Sequence, residues 1–275
     1  FVLFSGTALG QMIPVLISPV LSRLYSPEDF GLLGLYITAA TIFSVLATGR
    51  YDKAVMLPKQ DEDSVNLVAL SVLLSIVISL GSLVIAWLFN DLICSALNNE
   101  QFSTWLYFLP LSILFLGIYN SFNNWGNRQK LYKRLALSRL LKGGATGTTN
   151  LSVGFINPGP FGLIGGYIIG HFTNAFYLFY KSVRNNLHLF NSISLQRMIQ
   201  NAKRYKKFPI YMTWASLINA FSVHSPILIL SFFFNSAIVG FFTFGHRILS
   251  MPVSLISTSV GQVFYQEAAI NANDE

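Results

Sequence analysis

The stretch "SVNLVALSVLLSIVISLGSLVIAWLF", from Ser64 to Phe89, contains 26 residues and no charged side chain. A helix needs about 20 apolar residues to cross the hydrocarbon layer of a bilayer, so this stretch is long enough to span one. A helix in the core of a soluble protein carries a polar stripe along its solvent face, and the apolar windows of this chain mostly lack one. The stretch therefore predicts a membrane-spanning helix.

The composition of the whole chain supports the same class. The sequence is 53% hydrophobic and 11% charged, with a mean hydropathy of +0.54, which is too apolar for an ordinary soluble domain. A net charge of +7 would suit nucleic acid if Lys and Arg covered a solvated face. They lie instead in a few blocks between apolar runs, so we expect a membrane protein without a nucleic-acid partner.

Apolar windows recur along the chain and predict an all-α polytopic membrane protein. The fifth window is the weakest, because "GGATGTTNLSVGF" is rich in Gly and Thr, which bury against other helices more readily than against lipid. The eight predicted spans are Phe1 to Leu21, Phe30 to Gly49, Ser64 to Phe89, Thr104 to Phe122, Gly143 to Ile156, Phe161 to Tyr180, Phe208 to Phe234 and Ser236 to Ser257.

Positive charge is concentrated in three of the predicted turns. Sixteen of the 18 Lys and Arg residues follow the second, fourth and sixth spans. Cytoplasmic loops carry the excess of Lys and Arg, so we expect these turns and the N-terminus to face the cytoplasm. Segments 123–142 and 189–207 also contain Leu and Tyr, which favours helices lying beside anionic lipid headgroups. Binding of a nucleic acid or a protein there is the alternative, but topology alone accounts for the charge.

An internal repeat predicts the organisation of the chain. "SPVLSRLYSPEDFG" begins at Ser18 and "SPILILSFFFNSAIVG" begins at Ser225, and the final glycines, Gly31 and Gly240, are 209 residues apart. Each segment leads from a Ser-Pro within one span through a short loop to a Gly that opens the next. We therefore expect two six-helix lobes in a longer, twelve-helix protein, since transporters are often built from such repeats. Residues 1–180 form the first lobe, 181–207 a basic cytoplasmic linker, and 208–275 the start of the second lobe.

Two stretches carry a resemblance to a known family. "LSRLYSPEDFGLLGLYITAATIFSVLATGRYDKAVMLP", Leu21 to Pro58, resembles the amino-terminal signature of the polysaccharide and O-antigen flippases. "FGHRILSMPVSLISTSVGQVFYQEA", Phe244 to Ala268, is similar to the eighth helix of the same family, whose superfamily includes multidrug exporters and the lipid II flippase. The resemblance implies a central cavity through which an undecaprenyl-pyrophosphate-linked oligosaccharide moves from the inner to the outer leaflet.

Arg247 is the leading candidate for the binding site. It lies eleven residues after Ser236, which is about 16 Å into a hydrocarbon layer about 30 Å thick. A charge at that depth costs about 2.5 to 3.5 kcal/mol on insertion scales, so Arg247 should face a cavity or a partner. All eleven acidic residues lie in predicted loops or at span ends, which leaves a substrate anion as the partner. The planar guanidinium matches the oxygens of a pyrophosphate.

Four further residues are candidate substrate-binding groups. His224 lies about midway in the seventh span and is predicted either to hydrogen-bond sugar or phosphate or to pack against a neighbouring helix. Arg50 and Lys53 end the second span, where a pyrophosphate would first arrive; cytoplasmic anchoring with a local ion pair to Asp52 is the alternative. Arg23 ends the first span on the outside, where it either marks the exit or reaches the interface.

Two other functions are alternatives to the flippase. A cation-coupled multidrug exporter would need a buried carboxylate, and the predicted spans carry none. A membrane O-antigen polymerase or ligase would need a sizeable outward loop, and the predicted ones are short and lack Lys and Arg. We therefore expect a transporter of the bacterial inner membrane that is not an enzyme and uses no cofactor or metal. Its expected partners are the lipid-linked oligosaccharide, membrane lipids, and the polysaccharide polymerase and chain-length machinery.

Overall fold

The computed structural model describes residues 12–14, 16–97 and 99–250. Among these residues the regular structure is helical and contains no strand. The predicted first span and the part of the eighth after residue 250 fall largely outside them. The labelled helices are α1 (Ser18–Leu24), α2 (Pro27–Ala47), α3 (Asp61–Ala96), α4 (Phe102–Leu106), α5 (Leu109–Arg128), α6 (Tyr132–Ile156), α7 (Pro160–Asn185), α8 (Leu195–Arg204), α9 (Thr213–Phe233) and α10 (residues 236–250).

Among the residues that the structure describes, four helical segments are long and apolar enough to cross a membrane. They are α2, α3, the continuous pair α4–α5 (Phe102–Arg128), and Phe208–Phe233, in which a π-helical turn leads into α9. Helices α6 and α7 are 25 and 26 residues long but less apolar, because α6 carries basic residues and α7 carries several polar ones. The all-helical, multi-pass membrane class is confirmed, while the total of eight spans stays a prediction.

Helix boundaries follow local chemistry. Ser26 accepts a hydrogen bond from the Asp29 backbone N–H, Asp29 accepts one from the Ser26 N–H, and Pro27 occupies the first turn of α2. This reciprocal capping satisfies donors that a helix N-terminus leaves free. Asp61, together with Glu62 and Asp63, opens α3, where negative charge complements the helix dipole.

Two details differ from the predictions. The outward loop expected from residue 90 is shorter, because α3 continues to Ala96 through a kink at Phe89, and Cys94 is therefore buried in a helix. The prediction of a separate interfacial helix within 123–142 is wrong, because α5 extends to Arg128 and α6 begins at Tyr132. The basic linker does contain its predicted helix, α8.

Helix α3 shows how the bundle is held in an apolar surrounding. Ser71, Ser75 and Ser79 are buried on one face, where Ser75 Oγ approaches Ala47 O at 3.3 Å and Ser79 Oγ donates to Pro110 O at 2.7 Å. Large apolar side chains such as Val77 and Trp87 are exposed on the opposite side. Small polar residues inside and apolar residues outside are typical of a helix in lipid, where close packing replaces the hydrophobic effect between helices.

Helix α2 lies at the centre and packs against α9 and α10 as well as against α3, α5 and α7. A Cβ added at Gly31 would overlap the carbonyl oxygen of Ser236, and one added at Gly240 would overlap that of Pro27. Both pairs, Gly31 with Gly240 and Pro27 with Ser236, are 209 residues apart. The crossing of α2 and α10 therefore joins positions that correspond in the predicted repeat, with backbones close enough to require glycine on both helices.

Candidate functional site

A cavity of about 820 Å³ lies between α2, α6 and α7 on one side and α9 and α10 on the other. Apolar side chains such as Leu33, Ile37 and Ile227 form much of its wall. The cavity thus lies between helices of the predicted first lobe and helices of the start of the second, and the family resemblance implies a central cavity for the substrate.

Three cationic side chains line this cavity. Arg247 comes from α10, while Arg139 and Lys142 come from α6. Arg139 and Lys142 lie seven and ten residues after Tyr132, which is about 10 and 15 Å along the helix axis. Lys142 is close enough to Arg139 and Arg247 for their charges to act on it. The cations of two helix groups therefore converge on one cavity inside the helix bundle.

No carboxylate lines the cavity among the residues that the structure describes. Among the same residues Lys142 and Arg247 lie within ion-pair distance of no carboxylate, and the ion pairs of Arg128 with Asp61 at 2.9 Å and of Arg197 with Glu62 lie outside the cavity. Like charges in a poorly solvated space repel strongly unless an anion balances them. The arrangement is therefore suited to bind an anion.

Uncharged polar groups surround the cations. His224 lines the cavity, and its Nδ1 lies 3.3 Å from Thr38 Oγ1 of α2, so it faces the cavity and also contacts a neighbouring helix. His246 and Thr146 add further donors and acceptors to the wall. Asn174 is 1% exposed, and its Oδ1 has no hydrogen-bond partner among the described residues. Such groups suit the hydroxyls of a sugar as well as phosphate oxygens.

The other predicted site residues lie elsewhere. Arg50 follows α2 in a left-handed conformation with φ 57°, and neither it nor Lys53 nor Arg23 lines the cavity. Lys53 and Arg23 are exposed. The Asp52 carboxylate accepts hydrogen bonds from Thr48 and Asn124 rather than forming the local ion pair considered above. Substrate binding by Arg50, Lys53 and Arg23 stays a prediction.

Arg139 and Lys142 were missed as site residues. In the sequence they belong to a basic block that membrane topology explains, so they were counted as loop charges. Their spacing held a signal, because 139, 142, 146 and 150 recur at intervals of three and four residues and therefore share one helix face. The structure turns that face toward Arg247.

The helices and the cavity together define a multi-pass helical membrane protein with a basic cavity inside the bundle. The family described as "Polysaccharide biosynthesis protein" matches residues 20–275, and the chain belongs to this family. The match confirms the resemblance to polysaccharide flippase-type proteins. No curated protein and no solved structure matches the chain.

Proposed function

We propose that this protein flips an undecaprenyl-pyrophosphate-linked oligosaccharide, an O-antigen or similar repeat unit, from the inner to the outer leaflet. The observation that carries the proposal is the convergence of Lys142 and Arg247 on one cavity whose described wall holds no carboxylate. Membership of a polysaccharide biosynthesis family points to a glycan as the cargo. A pyrophosphate is the anionic part of such a cargo, and its oxygens fit the fork of an Arg.

The cavity also suits the rest of the cargo. A volume of about 820 Å³ lies within the range of ligand pockets that enclose a small organic molecule. The polar groups around the cations offer hydrogen bonds to sugar hydroxyls, while the prenyl tail stays in the bilayer. In this proposal Arg247 and Lys142 hold the pyrophosphate from opposite sides of the cavity.

Alternating access is the proposed mechanism. At the Ser236 end of α10, which we expect to lie on the outside, α2 and α10 are in backbone contact, and Asn99 Nδ2 donates to Ser236 Oγ at 2.9 Å. We infer that this contact closes the outer side of the cavity and that it separates when the lobes rock. An anion bridging Lys142 and Arg247 would join the two lobes and would shift the equilibrium between the closed and the separated arrangement of α2 and α10.

The proposal places the protein in the bacterial inner membrane with its N-terminus in the cytoplasm, acting as a transporter and not as an enzyme. A polysaccharide polymerase with its chain-length machinery would use the flipped product. A multidrug exporter is disfavoured because the described cavity wall offers cations rather than a carboxylate to a cationic drug.

The test is surface glycan production in cells whose gene is deleted and then restored with the full-length protein. We expect wild type to restore the glycan, and Arg247→Gln or Lys142→Gln to lower it while the lipid-linked precursor accumulates. Loss of a hydrogen bond to a charged group costs about 1.5 to 3 kcal/mol, or roughly 10- to 100-fold in binding. Arg247→Lys should restore part of the activity, because Lys keeps the positive charge but lacks the planar guanidinium that binds two phosphate oxygens at once.

Lys59→Gln is the matched control, because Lys59 is exposed and lies outside the cavity. Each variant is compared at equal abundance in the membrane. Full glycan export by Arg247→Gln and Lys142→Gln would overturn the role of the cations. An unchanged surface glycan in the deletion strain, with altered drug resistance, would favour the exporter.

A further inference from the structure

We propose that a second basic site, outside the cavity, binds the headgroup of an anionic phospholipid from the inner leaflet. The site is a groove of about 660 Å³ formed by the turn between α5 and α6, the first turns of α6, and the end of α7. We call it the basic groove, after its four cations Lys130, Lys133, Arg134 and Lys181. The inference rests on the membrane orientation proposed above and not on the transported substrate.

Hydrogen bonds and a fixed turn hold the cations of the basic groove in position. Arg134 Nη1 lies 3.3 Å from the backbone oxygen of Lys181, so α6 and α7 are joined across the groove. Both residues are half-buried. Lys130 has a left-handed backbone with φ 54°, and the next amide, Leu131 N–H, donates to Gly126 O at 2.9 Å. A left-handed backbone is unfavourable for a residue other than glycine, so the surrounding contacts must hold this turn in place.

Charge at the basic groove is not compensated within the described residues. None of its four cations lies within ion-pair distance of a carboxylate there, whereas nearby Arg128 is paired with Asp61 at 2.9 Å. No carboxylate lines the groove among the same residues. Four converging cations repel one another, and an anion bound between them would relieve that repulsion.

Apolar side chains distinguish a lipid from a soluble anion as the ligand. Leu131, Tyr132, Leu137 and Tyr177 line the groove beside the cations. Leu137 is 44% exposed, and Leu141, one turn further along α6, is 38% exposed. These residues form an apolar strip that leads from the phosphate-binding end toward the bilayer core. Basic pockets between membrane helices on the cytoplasmic side bind anionic headgroups in this way.

The basic groove and the cavity share α6 but no lining residue. The groove uses the helix start up to Leu137, and the cavity begins at Arg139. A lipid bound in the groove would steady the start of α6 against α7, and hence the helix that presents Arg139 and Lys142. Lipid binding and glycan transport can therefore be measured separately.

The test is the thermal unfolding midpoint of the purified full-length protein in a neutral detergent, with added phosphatidylglycerol or phosphatidylcholine. We expect phosphatidylglycerol to raise the midpoint and phosphatidylcholine to leave it nearly unchanged. The double variant Lys133→Gln/Lys181→Gln should lose at least half of the upward shift. Lys59→Gln/Lys203→Gln removes the same charge from exposed positions outside the groove and should keep the shift.

Two outcomes contradict the proposal. If both double variants lose the upward shift of the midpoint equally, phosphatidylglycerol is attracted by charge without a specific site. If inorganic phosphate alone raises the midpoint as much as phosphatidylglycerol does, the groove is a site for free anions. If the Gln variant fails to fold, Lys133→Arg/Lys181→Arg keeps the charge and must keep the shift. A shift that survives in a protein shown not to move glycan would leave this inference standing and overturn only the proposed transport.

Discussion

Asp52 is a buried carboxylate, 1% exposed, in the short helical turn after α2. Its Oδ1 accepts a hydrogen bond from Thr48 Oγ1 at 2.6 Å, and its Oδ2 accepts one from Asn124 Nδ2 at 3.0 Å. Both oxygens of the carboxylate therefore have donors, and the second hydrogen bond joins the end of α2 to α5. The residue has a structural role that its charged neighbours in the sequence, Arg50 and Lys53, did not indicate.

We expect Asp52→Ala to destabilise the protein. The change would leave the Thr48 hydroxyl and one Asn124 amide hydrogen without their acceptor in a buried place, at a cost of about 1 to 3 kcal/mol. The measurement is the unfolding midpoint in detergent, which should fall by several degrees. Lys53→Ala, at the exposed neighbouring position, should leave the midpoint nearly unchanged. Equal midpoints for wild type and Asp52→Ala would contradict this role.

At the scale of elements, the crossing of α2 and α10 depends on two glycines. The groups that would meet a Cβ at Gly31 or Gly240 are backbone atoms, which cannot rotate away as a side chain does. Phe30 and Phe244 add an edge-to-face contact beside the crossing, with ring centroids 4.9 Å apart. The close approach of α2 and α10 therefore depends on the absence of a side chain at these two positions.

Cross-linking tests the crossing. Asn99→Cys with Ser236→Cys, in a Cys94→Ser background, places two thiols where side chains now share a 2.9 Å hydrogen bond, within reach of a short bifunctional thiol reagent. We expect efficient cross-linking in native membranes and a large decrease when Gly31→Ala is added, because the new methyl group separates the helices. Gly245→Ala is the control, since a Cβ at Gly245 meets nothing within 4 Å. Cross-linking that is equal in all three proteins would contradict the need for glycine at the crossing of α2 and α10.

At the scale of the whole molecule, the ends of the helices carry opposite charge patterns. Basic residues cluster at the junction of α5 with α6, at the end of α7 and around α8. The opposite ends, near Glu28, Asp91 and Glu100, are acidic or neutral apart from Arg23. This asymmetry sets the orientation that we propose, because Lys and Arg are retained on the cytoplasmic side.

Cysteine labelling of intact cells tests the orientation. In a Cys94→Ser background, Gln101→Cys is exposed at the proposed outer end and should react with an impermeant thiol reagent. Lys59→Cys and Lys203→Cys are exposed at the proposed inner end and should react only after the cells are permeabilised. The reverse pattern would show that the basic end faces outward.

The sequence by itself determined the class of protein. Membrane insertion depends on the hydropathy of each stretch of about 20 residues, which is a local and nearly additive property, so helical spans were predictable. The depth expected for Arg247 came from counting residues along one helix, and the structure places this side chain in the wall of the cavity. The motifs at Leu21 to Pro58 and from Phe244 correctly indicated the family.

Only the tertiary structure decided which face of each helix meets which neighbour. That choice placed Lys142 in the cavity and Lys133 in the basic groove, although both belong to the same basic block of α6. It also buried Asp52 and brought Gly31 against α10. In lipid, helix faces are selected by close contacts of small residues and by hydrogen bonds between distant segments, and hydropathy averaged along the chain contains neither.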